Sequence, residues 1–164
     1  MATRKILGID PGTGICGFGV VKFTTHKNPQ VVTVGVITTP AHTPQADRLL
    51  DIYESLHQII NETKPDEVSI EKLYFNQNIT TGISVAEARG VVILVAKQYG
   101  LPIYEYTPLQ IKQTLTGYGR ADKKQMQEMV RQTLGMEKIV KPDDAADALA
   151  AALTHHFMTQ FTTV

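Results

Sequence analysis

Between Ala145 and Ala152, six of eight residues are alanine, and an aspartate, Asp147, stands among them. The segment from Pro142 to Phe157 reads as a helix. A helix with such small side chains can lie closer to a neighbouring layer than a leucine-rich one, since separation follows the side chains at the contact. Asp147 is then pressed toward the interior, where an ionised carboxylate is tolerated only if a cation neutralises it. Asp144 lies one turn earlier on the same face. Cap and macrodipole chemistry accounts for an acid at Asp143 or Asp144, in the first turn. It does not account for Asp147. Such a helix needs a sheet to lie on and a positive charge to meet it.

The sheet is visible upstream. Arg4 to Asp10, Gly17 to Phe23 and Val31 to Ile37 read as strands, and the short turns between them predict an antiparallel meander. Ala46 to Glu62 has helical periodicity, with Leu49, Leu50, Tyr53, Leu56, Ile59 and Ile60 on one stripe. Glu67 to Glu71 follows as a short strand. Ser84 to Tyr99 is expected as a helix closed by Gly100, and Leu101 to Tyr106 as a strand. Ile111 to Leu115 and Asp122 to Leu134 complete the helices. Strands first, then strands alternating with helices, predict an α/β fold with a mixed sheet covered by helices.

At 164 residues and 18.1 kDa, one domain spanning 1–164 is expected. A 43% hydrophobic and 20% charged composition excludes wholesale disorder. Net charge is zero, which removes the argument for nucleic-acid binding from a basic whole chain. The distribution is uneven, however. Pro40 to Glu71 nets −5 and Lys72 to Lys141 nets +5, an asymmetry that allows a basic face beside an acidic pocket and is equally met by ordinary solvated surface. A lone cysteine, Cys16, rules out an internal disulfide and fits a reducing compartment. The longest uncharged apolar stretch, Val91 to Ala96, cannot cross a bilayer. A soluble cytoplasmic protein with no membrane partner is expected.

Two further acids close strands. Asp10 ends the first, just before Pro11-Gly12, and Glu71 ends the fourth. An acid at a strand end is often only a turn residue. Together with Asp144 and Asp147, though, these make a carboxylate set with no His or Cys at ligand spacing, which suits hard cations such as Mg²⁺ or Mn²⁺ and not zinc. Two such ions activate a water and stabilise the leaving oxygen of a phosphodiester, so phosphodiester hydrolysis is the coherent chemistry.

The ordered residues Gly8-Ile9-Asp10-Pro11-Gly12, Ile70-Glu71, Ala88-Arg89-Gly90, Tyr104-Glu105-Tyr106-Thr107-Pro108, Gly117-Tyr118-Gly119, Asp144-Ala145-Ala146-Asp147-Ala148-Leu149-Ala150 and Thr154-His155 resemble the RuvC family of Holliday junction resolvases from about Arg4 to His155. The resemblance implies a ribonuclease-H-like fold with a mixed five-stranded sheet. It also implies a homodimer with one active site per subunit, and paired symmetric nicks in a four-way DNA junction with Mg²⁺ or Mn²⁺, two ions per site. The family acts in recombination and DNA repair, and the RuvA-RuvB branch-migration complex is the protein partner it implies. Its four acids match Asp10, Glu71, Asp144 and Asp147. Its lysines important for activity match Lys112 and Lys123, and Arg89 falls among the DNA-binding positions. Its aromatic at the junction centre matches Tyr74, with Phe75 beside it.

The residues themselves bear on these expectations. Adjacent aromatics on extended chain point oppositely, so Tyr74 and Phe75 are not both buried, and an exposed one can stack on an unpaired base. Lys112, Arg120, Lys123 and Lys124 surround Gly117-Tyr118-Gly119 and suit phosphate contacts. The apolar face Val85, Ala88, Val91, Val92 and Val95 serves either a core or a dimer interface. His155 takes a core or surface role by default, although two turns beyond Asp147 it can also lie near the site. Another ribonuclease-H-like nuclease, acting on an RNA/DNA hybrid or structured RNA, would share the chemistry. An actin-like or sugar-kinase ATPase would need a second domain, and a non-catalytic junction-binding module would not need all four acids.

Overall fold

The computed structural model describes residues 3–73 and 79–160, so Tyr74 and Phe75 lie outside the described residues. The meander forms as expected: β1 (Thr3–Asp10) pairs antiparallel with β2 (Ile15–Thr24), and β2 with β3 (Gln30–Thr38). After α1 (Gln45–Thr63) the chain returns as β4 (Glu67–Glu71), parallel to β1. After α2 (Ile79–Gln98) it returns again as β5 (Ile103–Tyr106), parallel to β4. Then come α3 (Pro108–Thr116), α4 (Lys123–Thr133) and α5 (Asp143–Gln160). Among the described residues the sheet has five strands in the order β3-β2-β1-β4-β5.

Two cores separate on the two faces. Leu7, Ile9, Val20, Val68 and Ile70 meet Ile52, Leu56 and Ile60 of α1 and Ala88, Val92 and Val95 of α2. On the other face Ile6, Val21 and Tyr106 meet α3, α4 and the Leu149–Leu153 part of α5. The alanines do what their size suggests: α5 lies across β1 and β2 so closely that a Cβ at Gly8 would run into the Ala148 carbonyl oxygen, and one at Gly17 into that of Asp144. Buried Ser69 on β4 donates its hydroxyl to the Ala151 carbonyl at 2.7 Å, which ties the helix to the strand beside β1 as well.

Two expectations need correcting. The α1 stripe centres on Ile52, Leu56 and Ile60, while Leu50 is 52% exposed. The 100° step per residue puts Leu50 too far round to share the face of Leu56 and Ile60. Helix α2 begins at Ile79, five residues before Ser84. Its opening turns, Ile79-Thr80-Thr81-Gly82-Ile83, are β-branched residues and glycine, poor helix formers that conceal the start. Among the described residues no helix is long and apolar enough to cross a membrane.

Candidate active site

Strands β1 and β4 lie side by side and parallel, with Ile9 opposite Ile70, so Asp10 and Glu71 leave the sheet together at its carboxyl edge. That edge is where open α/β sheets place their ligands. Helix α5 enters over the same edge with Asp144 and Asp147 in its first two turns. One cleft results. Asp10, Glu71 and Asp147 line one half with Pro11 and Pro108, and Glu71 and Asp147 continue into the other half beside Lys112 and Lys123. Ile111, Met126 and Ala150 give that half an apolar floor.

The lysines are delivered by two well-capped helices. Thr107 caps α3 in a reciprocal capping box with Gln110, Pro108 takes the first helical position, and Gly117 (φ 72°) ends the helix in the left-handed region. Asp122 caps α4 in the same way with Gln125, which sets Lys123 at the first helical position. The turn after Asp10 is locked by a relay that leaves no spacing signature. Thr13 donates to the Ser84 carbonyl (2.6 Å), Thr39 to the Thr13 carbonyl (2.6 Å), and Arg48 to the Thr39 hydroxyl (2.8 Å).

The charges feel each other. Burial, then the nearby Glu71, Asp147 and Asp144, push Asp10 up to about 8, with Lys123 pulling the other way. Burial and Asp147 raise Glu71 above the usual carboxylate range, against Lys112 and Lys123. Burial raises Asp147 too, opposed chiefly by Lys123, whose ammonium lies 3.7 Å from its carboxylate. Lys123 is thus the cation that the alanine-rich helix requires. Among the described residues, no three His, Cys, Asp or Glu side chains stand in a group tight enough to enclose a metal ion. Asp10, Glu71 and Asp147 share the cleft, and the charge of Asp144 reaches Asp10 and Asp147. A carboxylate-only donor set with this excess of negative charge fits a hard divalent cation.

Other candidates sit elsewhere. Arg120 is exposed in the α3–α4 loop and Lys124 at the start of α4, where it lines a separate hollow with Tyr118 and Met129. Arg89, expected on DNA, is ion-paired with Glu105 of β5 and does not reach the carboxylate cleft. His155 is fully buried and serves the opposite end of the sheet: Nε2 lies 2.7 Å from both Glu67 and Arg4, Nδ1 lies 2.6 Å from the Tyr106 hydroxyl, and the Tyr104 ring stacks on it at 4.0 Å. Glu67 also accepts from Arg4 Nε at 2.8 Å.

Against known proteins, residues 6–155 match the family model of the crossover junction endodeoxyribonuclease RuvC. The chain belongs to the RuvC family. The crossover junction endodeoxyribonuclease of Desulfitobacterium hafniense is 55% identical over 152 residues, 92% of this chain and 90% of that protein. The RuvC of Thermus thermophilus, solved in complex with a Holliday junction substrate, superposes with a TM-score of 0.92 at 33% identity, covering 98% of this chain and 97% of that one. The yeast mitochondrial Holliday junction resolvase superposes at 0.71 over 97% of this chain and 80% of its own, and at 13% identity that likeness bears on the fold alone. This RuvC family member is a junction-resolving endonuclease, a hydrolase acting on DNA, with the ribonuclease-H-like architecture that its sequence implies. RuvC enzymes are metal-dependent nucleases.

Proposed function

We propose that this chain, as one domain, cuts four-way DNA junctions by paired symmetric nicks at the cleft where Asp10, Glu71, Asp144 and Asp147 converge. The observation that carries the reading is the convergence itself: acids from β1, β4 and α5 share one charge field, strong enough to push Asp10 up to about 8, with Lys112 and Lys123 on the facing wall. The four acids would hold Mg²⁺, with Mn²⁺ as a substitute, and two such ions supply an activated water and a charge clamp on the leaving oxygen. Lys112 and Lys123 receive the non-bridging oxygens of the scissile phosphate. The apolar floor of Ile111, Met126 and Ala150 lowers the local dielectric and strengthens those contacts. Arg120 in the α3–α4 loop and Lys124 at the start of α4 hold flanking phosphates and set register without reading sequence.

A homodimer completes the reading. The outer face of α2 carries Ile83 and Leu94, each 54% exposed, and between them Gly90 has nothing within 4 Å of where a Cβ would stand. Two large apolar side chains flanking a glycine on one helix face suit close packing against a second copy. The resulting two-fold axis matches a junction cut symmetrically.

The test is direct. Purified protein with Mg²⁺ is given a four-way junction, a linear duplex of the same sequence and an RNA/DNA hybrid. Preferential nicking of the junction at symmetric positions is expected. Preferential nicking of the hybrid would overturn the reading.

A further inference from the structure

Lys123 has two acidic neighbours, and only one of them lines the cleft. Its Nζ stands 3.1 Å from Asp143 Oδ2 and 3.7 Å from Asp147 Oδ2. The other oxygen of Asp143 accepts from Gln127 Nε2 at 2.8 Å and from Lys141 Nζ at 3.0 Å. Gln127 is buried, at 7% exposure, and lies one turn beyond Lys123 on the same face of α4. A rigid amide on α4 thus fixes the plane of the Asp143 carboxylate on α5, leaving one oxygen aimed at the ammonium. As a stabiliser, an ion pair this exposed is weak. As a bearing for a long, flexible side chain it is well made.

We propose that Asp143 is the positioning residue for Lys123: it keeps the ammonium at the rim of the cleft and acts on the reaction only through it. The inference rests on the reading of Lys123 as a phosphate-holding group. Its logic lies in the difference between the two acids. Asp147 faces the other carboxylates and belongs to the donor set, so an oxygen engaged there is withdrawn from Lys123. Asp143 is not part of that set, and its grip on Lys123 survives. Gln127 and Lys141 keep Asp143 in place without competing for the oxygen that Lys123 uses.

The test is a double-mutant cycle of wild type, Asp143→Asn, Lys123→Ala and the double variant. Single-turnover cleavage is measured at saturating junction and Mg²⁺, beside junction affinity and thermal stability. Asparagine keeps the acceptor that Gln127 uses and loses the charge. Lys123→Ala should slow cleavage by about 10²-fold, the usual loss of a preorganised charge at a transition state. Asp143→Asn should slow it by roughly tenfold or more, the scale of a misplaced group, with Tm and affinity close to wild type. In the Lys123→Ala background it should add nothing, and Asp143→Glu should restore part of the rate. In the metal-free protein, NMR relaxation of the Lys123 ammonium should show greater mobility in Asp143→Asn. Wild-type cleavage by Asp143→Asn would overturn the inference, as would an equal loss with and without Lys123, the pattern of a purely structural role. Wild-type cleavage by Lys123→Ala would overturn the reading of Lys123 first, and this inference with it.

Discussion

Asp10 is the residue whose environment is most at odds with its charge. Burial and three neighbouring acids hold its carboxyl at about 8, so the folded protein keeps a proton that the unfolded chain releases near the ordinary value of 3.8. Stability from this group is therefore complete below about pH 4 and drains away as pH rises toward 8, on the order of a few kcal/mol across that window. Metal-free protein should lose stability over that range in urea titrations, and Asp10→Asn should flatten the dependence. The same variant should bind junctions normally in a gel shift and fail to cut them. A flat wild-type profile, or cleavage retained in Asp10→Asn, would count against the charge field described. Asp10 and Glu71 were legible because each closes an apolar strand, and Asp147 because no cap rule explains it. Asp143 was legible only as a helix-start acid, since its pairing with Lys123 joins residues twenty positions apart on two helices. The partner of Arg89 was hidden for a related reason: one sequence cannot show that Glu105, on a strand, pairs with its guanidinium.

At the scale of elements, α5 decides the geometry of the cleft, and its seat depends on absent side chains. Gly8 and Gly17 admit the helix backbone, and Ser69 pins it. Gly8→Ala should therefore shift α5 away from β1, costing about 3 kcal/mol or more, at or beyond the range for overpacked cores, because the obstacle is a backbone carbonyl that cannot swing aside. Chemical denaturation measures the cost, and cleavage should fall with it as Asp144 and Asp147 move. Unchanged stability would mean that the helix has room to spare. The close approach was foreseeable from the alanines, and the meander from its short turns. The lock on the Asp10 turn was not, because hydroxyl-to-carbonyl bonds from Thr13 and Thr39 impose no periodicity. The start of α2 was hidden by its own weak helix formers.

Across the whole molecule, the uneven charge of the sequence resolves into opposite sides. Asp47, Asp51, Glu54 and Glu62 are exposed on α1, which packs on one face of the sheet, while Lys112, Arg120, Lys123 and Lys124 belong to α3, α4 and their loop on the other. A polyanion is repelled by the α1 side, while on the other side these four cations offset the acids of the cleft. The proposed dimer is tested at the same scale. Sedimentation should give a mass near twice 18.1 kDa. Ile83→Asp with Leu94→Asp should give monomers whose tertiary fold is intact, since exposed positions tolerate substitution within about 0.5 kcal/mol. Dimers that persist in this variant would place the interface elsewhere. The placement of α5 also bears on synthesis. Strands β1 and β2 leave the ribosome first, yet the helix that covers them and brings two of the four acids comes last, some 120 residues later than the end of β2. A chain interrupted before Asp143 has a bare sheet face and half a cleft. Premature termination thus yields a protease target and not a stray nuclease.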